Sequence, residues 1–221
     1  MSAVHAVGAP GSSMVFVSDD DVRRAVGWPA LLGAIERCFV GLARGQGEVF
    51  DVVRARGGGE RHFFAIKSGR DRTIPALGLK AGSYAPANLA RGLPAHTSTT
   101  LLIDDLTGRP FAVVEANHLN GMRTAAADAL AVRELARPDA DVLGLIGCGD
   151  QAVFEAIAIA QVRPLRRILA ATRDPDTRTR FAARIDAALG LSVEFAEPER
   201  VVRSADVLVT VTPSRAPLVT A

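Results

Sequence analysis

Apolar residues recur along the first half of the chain at two different periods. Val22, Val26, Leu31, Leu32, Ile35, Phe39 and Leu42 are spaced as one face of a helix, which predicts a helix from Asp19 to about Arg44. Ser18 stands at its N-cap, and Asp19, Asp20 and Asp21 fill a first turn where the helix dipole favours acids. The preceding MVFVS (14–18) reads as a short strand. From 48 to 116 the period falls to two. EVFDVVRAR, RHFFAIKSG, ALGLKAGSY, TSTTLLIDD and RPFAVVEA are strand-like runs. Turn chemistry separates them at Gly57–Gly59, Gly69–Asp71, Pro86–Asn88 and Asp105–Gly108. A helix followed by a mostly antiparallel sheet is therefore expected over 14–116.

The second half has a different pattern. Residues 117–136 are an alanine-rich helix that stops at Arg137-Pro138, and Pro138–Asp141 is the most natural linker. Beyond it, strands and helices alternate. VLGLI (142–146) is an apolar run with no alternation, as in a buried parallel strand. The helix QAVFEAIAIAQV, strand RRILAAT, helix PDTRTRFAARIDAAL, strand LSVEFA, short helix PERVVRSA and strand DVLVTVT follow. The expected organisation is a flexible tail over 1–13, an α+β domain over 14–137 and an α/β domain over 138–221.

Composition removes several function classes. The 221 residues include 26 basic and 24 acidic side chains, a net charge of +2, so there is no electrostatic footprint for nucleic acid or an anionic membrane. The 48% hydrophobic content supports a core and excludes a disordered chain. Cys38 and Cys148 are isolated, and the four histidines show no metal-ligand spacing, so neither a disulfide framework nor a metal site is expected. A reducing, cytoplasmic compartment is the default. No apolar run reaches the ~18 residues of a membrane span. The basic residues are almost all arginine; the lysines are Lys67 and Lys80. Arginine cannot simply replace a catalytic lysine, so both positions matter.

Gly147-Cys148-Gly149-Asp150-Gln151-Ala152 fits G-x-G-x-x-A directly after a predicted strand and at the start of a predicted helix, the context a dinucleotide-binding motif requires. Gly147 allows the tight turn, Gly149 lets the backbone approach a pyrophosphate, and Ala152 keeps helix and strand close. The helix start then holds the anion. At the end of the second strand, NAD sites usually place an acid for the ribose. Here that position is Thr172, followed by Arg173. A hydroxyl and a guanidinium suit a 2′-phosphate, which favours NADP over NAD. A solvated Arg173 with Asp174 capping the next helix is the structural alternative. A full doubly wound domain has six strands, and 74 residues follow Gly147, little more than one half of such a domain.

These residues, together with Gly78-Leu79-Lys80, Gly92-Leu93-Pro94, Leu102–Pro110, Arg123-Thr124-Ala125-Ala126, Leu135–Pro138, Ala205-Asp206 and Thr210–Pro213, resemble the ornithine cyclodeaminase/mu-crystallin family in the family's order, over about 14–221. The resemblance implies an α/β fold: an N-terminal mixed α+β domain that binds substrate and forms a homodimer, and a Rossmann dinucleotide-binding domain, here partial, for NAD(P). It implies an oxidoreductase or deaminase acting on a small α-amino, α-keto or cyclic imino acid. It makes Lys80 the catalytic lysine and Arg123 and Arg54 the carboxylate clamp. Thr212 joins Gly147, Gly149, Asp150, Gln151, Ala152, Thr172 and Arg173 as cofactor-binding residues.

The residues themselves point the same way. Arg54 and Arg56 are two apart on a predicted strand and share a face, so a register error would exchange them. Arginine grips carboxylates bidentately. A lysine held beside arginines or partly buried has a lowered pKa and can move protons near neutrality. Lys67 has no place in the family pattern and reads as a solvated strand end. His96 reads as a structural histidine, and Cys148 carries no chemistry. Between Arg54 and Lys80 the acids are Glu60 and Asp71, both turn-like, which weakens ornithine as substrate. No residue matches the family's catalytic aspartate beyond the next strand, and the later strands are absent. A nucleotide- or ligand-binding protein without catalytic competence, or a gene fragment, is therefore the competing expectation.

Overall fold

The computed structural model describes residues 14–59, 61–214 and 216–219, and the backbone of His5–Val7. The tail expected over 1–13 lies mostly outside these residues. Within it His5–Val7 forms strand β1, antiparallel to β2 (Met14–Val17). Contacts divide the chain into two compact units: Met1–Gly27 with Gly33–Asn120, and Trp28–Leu32 with Gly121–Ala221.

In the first unit the single helix expected over 19–44 is two, α1 (Asp19–Ala25) and α2 (Trp28–Ala43). Ser18 caps α1 through a capping box with Asp21. Gly27 is the extended N-cap of α2 and Pro29 occupies its first turn. Proline has no N–H to continue the preceding helix but fits a helix start, so the apolar period runs across the break without revealing it.

Strands β3 (Gly47–Val49), β4 (Val53–Arg56), β5 (Phe63–Asp71), β6 (Ala76–Tyr84), β7 (His96–Asp104) and β8 (Pro110–Glu115) complete an eight-stranded sheet in the order β1-β2-β8-β7-β6-β5-β3, with β4 also on β5. The β5–β8 pairs are antiparallel, and β2 joins β8 in parallel. Two details differ from expectation. Gly69–Asp71 is strand, not turn; the turn is residues 72–75. Glycine is needed at 69 because a Cβ there would lie 2.5 Å from the Glu48 carbonyl oxygen of β3. The run 48–56 is also not one strand: Val49 faces Gly69, whereas Val53 faces Ile66, a shift of one residue in register. The intervening residues form a bulge. The turn at 105–108 is as expected, with Asp104 accepting from the N–H groups of Leu106 and Thr107 and Gly108 at φ +70°.

The second unit contains a four-stranded parallel sheet in the order β11-β10-β9-β12, from β9 (Val142–Ile146), β10 (Arg167–Ala171), β11 (Val193–Phe195) and β12 (Val207–Thr210). This is the first half of a Rossmann sheet with one strand beyond its switch point. Helices α4 (Asp150–Ala160), α5 (Pro175–Leu189) and α6 (Pro198–Ser204) connect the strands. Helix α3 (Asn117–Leu135) supplies Ala125 and Ala129 to the core of Leu143, Leu145, Ile159, Ile168 and Phe181. That packing is why the contact division falls inside α3 rather than at Arg137–Pro138. Gly144 on β9 faces α6 so closely that a Cβ would lie 2.7 Å from the Ala205 Cβ. Among the described residues no single helix is long and apolar enough to cross a membrane.

Arg163 closes the end of α3. Its guanidinium donates to the carbonyls of Val132, Arg133, Ala136 and Arg137, acceptors in the last turn of the helix and just beyond it. Arg163→Ala should lower stability by about 2–3 kcal/mol, because partly buried carbonyls lose a charged donor. Urea denaturation monitored by circular dichroism measures it; a change below 0.5 kcal/mol would mean that water replaces the guanidinium freely.

Candidate active-site face and nucleotide turn

Opposed residues on neighbouring strands point to one face of a sheet. Arg54 is opposite Ala65, Ala65 opposite Gly82, and Gly82 opposite Ser98. Lys67 is opposite Lys80, which is opposite Thr100. These two rows are adjacent on the same face, so Arg54, Lys67, Lys80, Ser98 and Thr100 project together. Arg56, opposite Phe63, is on this face one row further from Lys80. The bulge produces this arrangement. Continued pairing from Val49 and Gly69 would have put Arg54 opposite Phe64 and turned both arginines to the other side.

Lys80 is half-buried, and its Nζ donates to Asn120 Oδ1 at 2.6 Å. Asn117 Oδ1 accepts from the Ser98 N–H at 2.7 Å, so the first turn of α3 attaches to this sheet through two asparagines. Arg123, three residues after Asn120, lies on the same face of α3. Burial holds its guanidinium pKa below the usual value. Lys67, read from the sequence as a solvated strand end, is exposed but directly opposes Lys80. With the turn placed at 69–71, that pairing is invisible; with the turn at 72–75 it follows.

In the second unit Gly147 has φ +99°, and a Cβ there would lie 2.4 Å from the Val211 carbonyl oxygen and 2.9 Å from Thr212 Cγ2. A side chain is excluded both by conformation and by space. Around Gly149 nothing would meet a Cβ within 4 Å, so the backbone there is open to a ligand. Gly149 is the N-cap of α4 and provides no side-chain cap. The Ala152 N–H donates to the Gly149 carbonyl, and the N–H groups of Asp150 and Gln151, at the positive dipole end, remain as donors of the kind that bind phosphate. Ala152 is fully buried, as close helix–strand packing requires. These residues fit a dinucleotide pyrophosphate.

The side chains of the motif have other partners. Asp150 pairs with Arg184 of α5. Gln151 Nε2 donates to the Gly121 carbonyl at 3.2 Å and to Glu155 Oε1 at 2.6 Å. A Cβ on Gly121 would strike the Phe154 ring at 2.5 Å, so α3 and α4 are in close contact here. Thr212 Oγ1 accepts from the Ser214 N–H at 3.2 Å. At the end of β10, the Thr172 carbonyl accepts from Arg178, whose guanidinium lies 5.7 Å from the Phe195 ring centroid. Asp174 caps α5 by accepting from the N–H groups of Asp176 and Thr177. Arg173 is exposed, with no ion pair among the described residues. Burial pushes the Cys148 thiol up to about 11, so it is not a nucleophile near neutrality. Among the described residues no three His, Cys, Asp or Glu side chains are grouped to hold a metal.

A sequence model of the ornithine cyclodeaminase/mu-crystallin family matches residues 13–221. The chain belongs to this family. It is 38% identical to an iminosuccinate reductase of Paracoccus denitrificans over 205 residues, covering 93% of this chain and 64% of that protein. The structure of a Thermococcus litoralis Δ1-pyrroline-2-carboxylate reductase with NADH and L-proline superposes with a TM-score of 0.89 at 28% identity, covering 93% of this chain and 64% of that one. An archaeal alanine dehydrogenase dimer with bound NAD superposes at 0.85 and 28% identity, covering 93% and 62%. The chain thus spans somewhat less than two thirds of the length of these relatives.

One buried group near the nucleotide turn was not anticipated. Glu155 is fully buried, and its Oε2 has no hydrogen-bond partner among the described residues. Loss of solvation, with the Asp128 carboxylate adding to it, raises its pKa from 4.5 to about 7. The folded state therefore holds this proton more tightly than the unfolded chain. The group's stability is fully present below pH 4.5 and is lost as pH rises through about 7. Glu155→Gln should remove a loss on the order of 2 kcal/mol between pH 5 and pH 8. Denaturant midpoints at the two pH values measure it; equal pH dependence in both proteins would disprove the assignment.

Proposed function

We propose that this chain carries the substrate-binding and nucleotide-binding parts of an NAD(P)-dependent oxidoreductase that interconverts small α-imino or α-keto acids and α-amino acids. The observation that carries the reading is Lys80, half-buried and hydrogen-bonded to Asn120, on one sheet face with Arg54. Bound nicotinamide supplies or accepts the hydride at the substrate carbon. The protein's part is placement and charge. Arg54 is the preferred carboxylate ligand over Arg56, because it lies one row nearer Lys80. Arg123 supplies the second guanidinium. The Lys80 ammonium, positioned by Asn120, polarises the reacting C=N or C=O group and passes a proton to its nitrogen or oxygen as the carbon is reduced.

The reductases and the dehydrogenase among the relatives support this reaction class, and iminosuccinate belongs in the substrate panel. For the cofactor, the acid nearest the end of β10, Asp174, is engaged as a helix cap, and the exposed Arg173 is available to a 2′-phosphate. NADP is therefore the favoured cofactor. A homodimer is proposed on the archaeal dimer and on the exposed apolar side chains Phe39, Val49 and Val53 of the first unit. Sedimentation at the mass of one chain at micromolar concentration would overturn it.

The test is reductive amination of α-keto acids with ammonia, and reduction of cyclic imino acids, followed by nicotinamide absorbance. Lys80→Met should lower kcat by about 10²–10⁴-fold and leave nucleotide affinity within twofold. Turnover at the wild-type rate would remove Lys80 from the chemistry. Arg173→Ala should weaken NADPH binding about tenfold while sparing NADH, since one charge-assisted contact to phosphate is worth ~1.5–3 kcal/mol. Equal losses for both nucleotides would overturn the NADP preference.

A further inference from the structure

The face that bears Lys80 carries more positive charge than one carboxylate balances. Lys67 directly opposes Lys80, which puts their Cα atoms about 5 Å apart, and Arg54 lies one strand further and one row along, about 8 Å from Lys67. Like charges directly opposed on a sheet are destabilising. Among the described residues no carboxylate pairs with Arg54 or Lys67. The acids on this face, Asp71 and Asp104, lie at the far ends of their strands and accept from Thr73 and Thr107 in turns. The same face has a floor of small residues, Ala65 and Gly82, with the Ser98 hydroxyl beside it. Ser98 is 3% exposed, and its buried hydroxyl has no hydrogen-bond partner among the described residues. A buried donor without an acceptor, beside Gly82 on the face that also carries Arg54 and Lys67, marks a surface that receives a polar anion.

We propose that Lys67 binds a second carboxylate on the substrate side chain, so that the substrates are short dicarboxylic α-imino or α-keto acids and the corresponding acidic α-amino acid. This rests on the reading of the Lys80 face as the substrate site. Arg54 takes the α-carboxylate, Lys80 faces the reacting nitrogen or oxygen, and Lys67, between them on the middle strand, takes the distal carboxylate. A lysine suits this position: its charge is a compact point on a flexible stem, free to follow a side chain of one or two carbons. A neutral substrate side chain would leave Lys67 uncompensated, and a basic one would add to its repulsion with Lys80.

L-Aspartate and L-alanine differ by one carboxylate and make the test. Calorimetric titration of the full chain should show L-aspartate binding at least tenfold tighter than L-alanine. Lys67→Met should abolish that difference while leaving L-alanine affinity within twofold; Lys67→Arg should largely keep it. In turnover, Lys67→Met should raise KM for the dicarboxylic substrate with little change in kcat. Equal affinity for the two amino acids, equal weakening of both by Lys67→Met, or binding of neither overturns the proposal. Nucleotide titration on the same preparation separates the two readings. NADPH binding and monocarboxylate turnover without a dicarboxylate preference would sink the Lys67 proposal alone. Absence of any nucleotide binding would sink the oxidoreductase reading, while an aspartate preference would still stand.

Discussion

Side chains on a strand alternate between two faces, and a shift of one residue moves every side chain to the other side. The bulge between β3 and β4 makes that shift. Without it, the guanidinium groups of Arg54 and Arg56 would point away from Lys80. The bulge is compatible with the edge because β3 and β4 both pair with the same side of β5, whose Gly69 lets the β3 backbone pass close by. Arg54 and Arg56 depend on this register, while the β5–β6–β7 pairing places Lys67, Lys80, the small floor and the Ser98 hydroxyl on the face that Arg54 then joins.

The second unit depends on close approach rather than on register. Gly144 lets α6 press on β9, Gly147 lets the chain turn under Val211, and Gly121 accommodates the Phe154 ring between α3 and α4. These contacts hold the first turn of α4 with its donors uncovered. The polar side chains of the motif are engaged in supporting it. Asp150 is neutralised by Arg184, and Gln151 links the α3 backbone to Glu155. The motif therefore presents backbone at the turn, with the Gln151 side chain directed into the protein and the exposed Asp150 side chain held by Arg184, which leaves the helix start to an anion.

Much of this was legible from residue order. The strand β6, the helix α5 and the turn after Asp104 fall where alternation, the Asp174 cap with Pro175, and Asp–Thr–Gly chemistry put them. The break between α1 and α2 was not, because a continuous apolar stripe is compatible with one helix or two. Nor was the β5–β6 turn. Gly69–Asp71 has the composition of a turn, yet Gly69 is small for the sake of a neighbouring strand that no local window contains. The role of Lys67 was lost with that turn, since its partner is thirteen residues away and is found only by pairing the strands.

Sequence alone determined the change from an α+β to an α/β pattern, the nucleotide turn and the family, because these are written in local periods and in glycines whose purpose is local. Tertiary structure alone decided which side chains share a surface. Cross-strand register, a one-residue bulge and helix-to-helix approach set that, and each depends on residues distant in the chain. A lysine that reads as solvent-exposed in its own strand becomes half of a cationic pair once the neighbouring strand is in place.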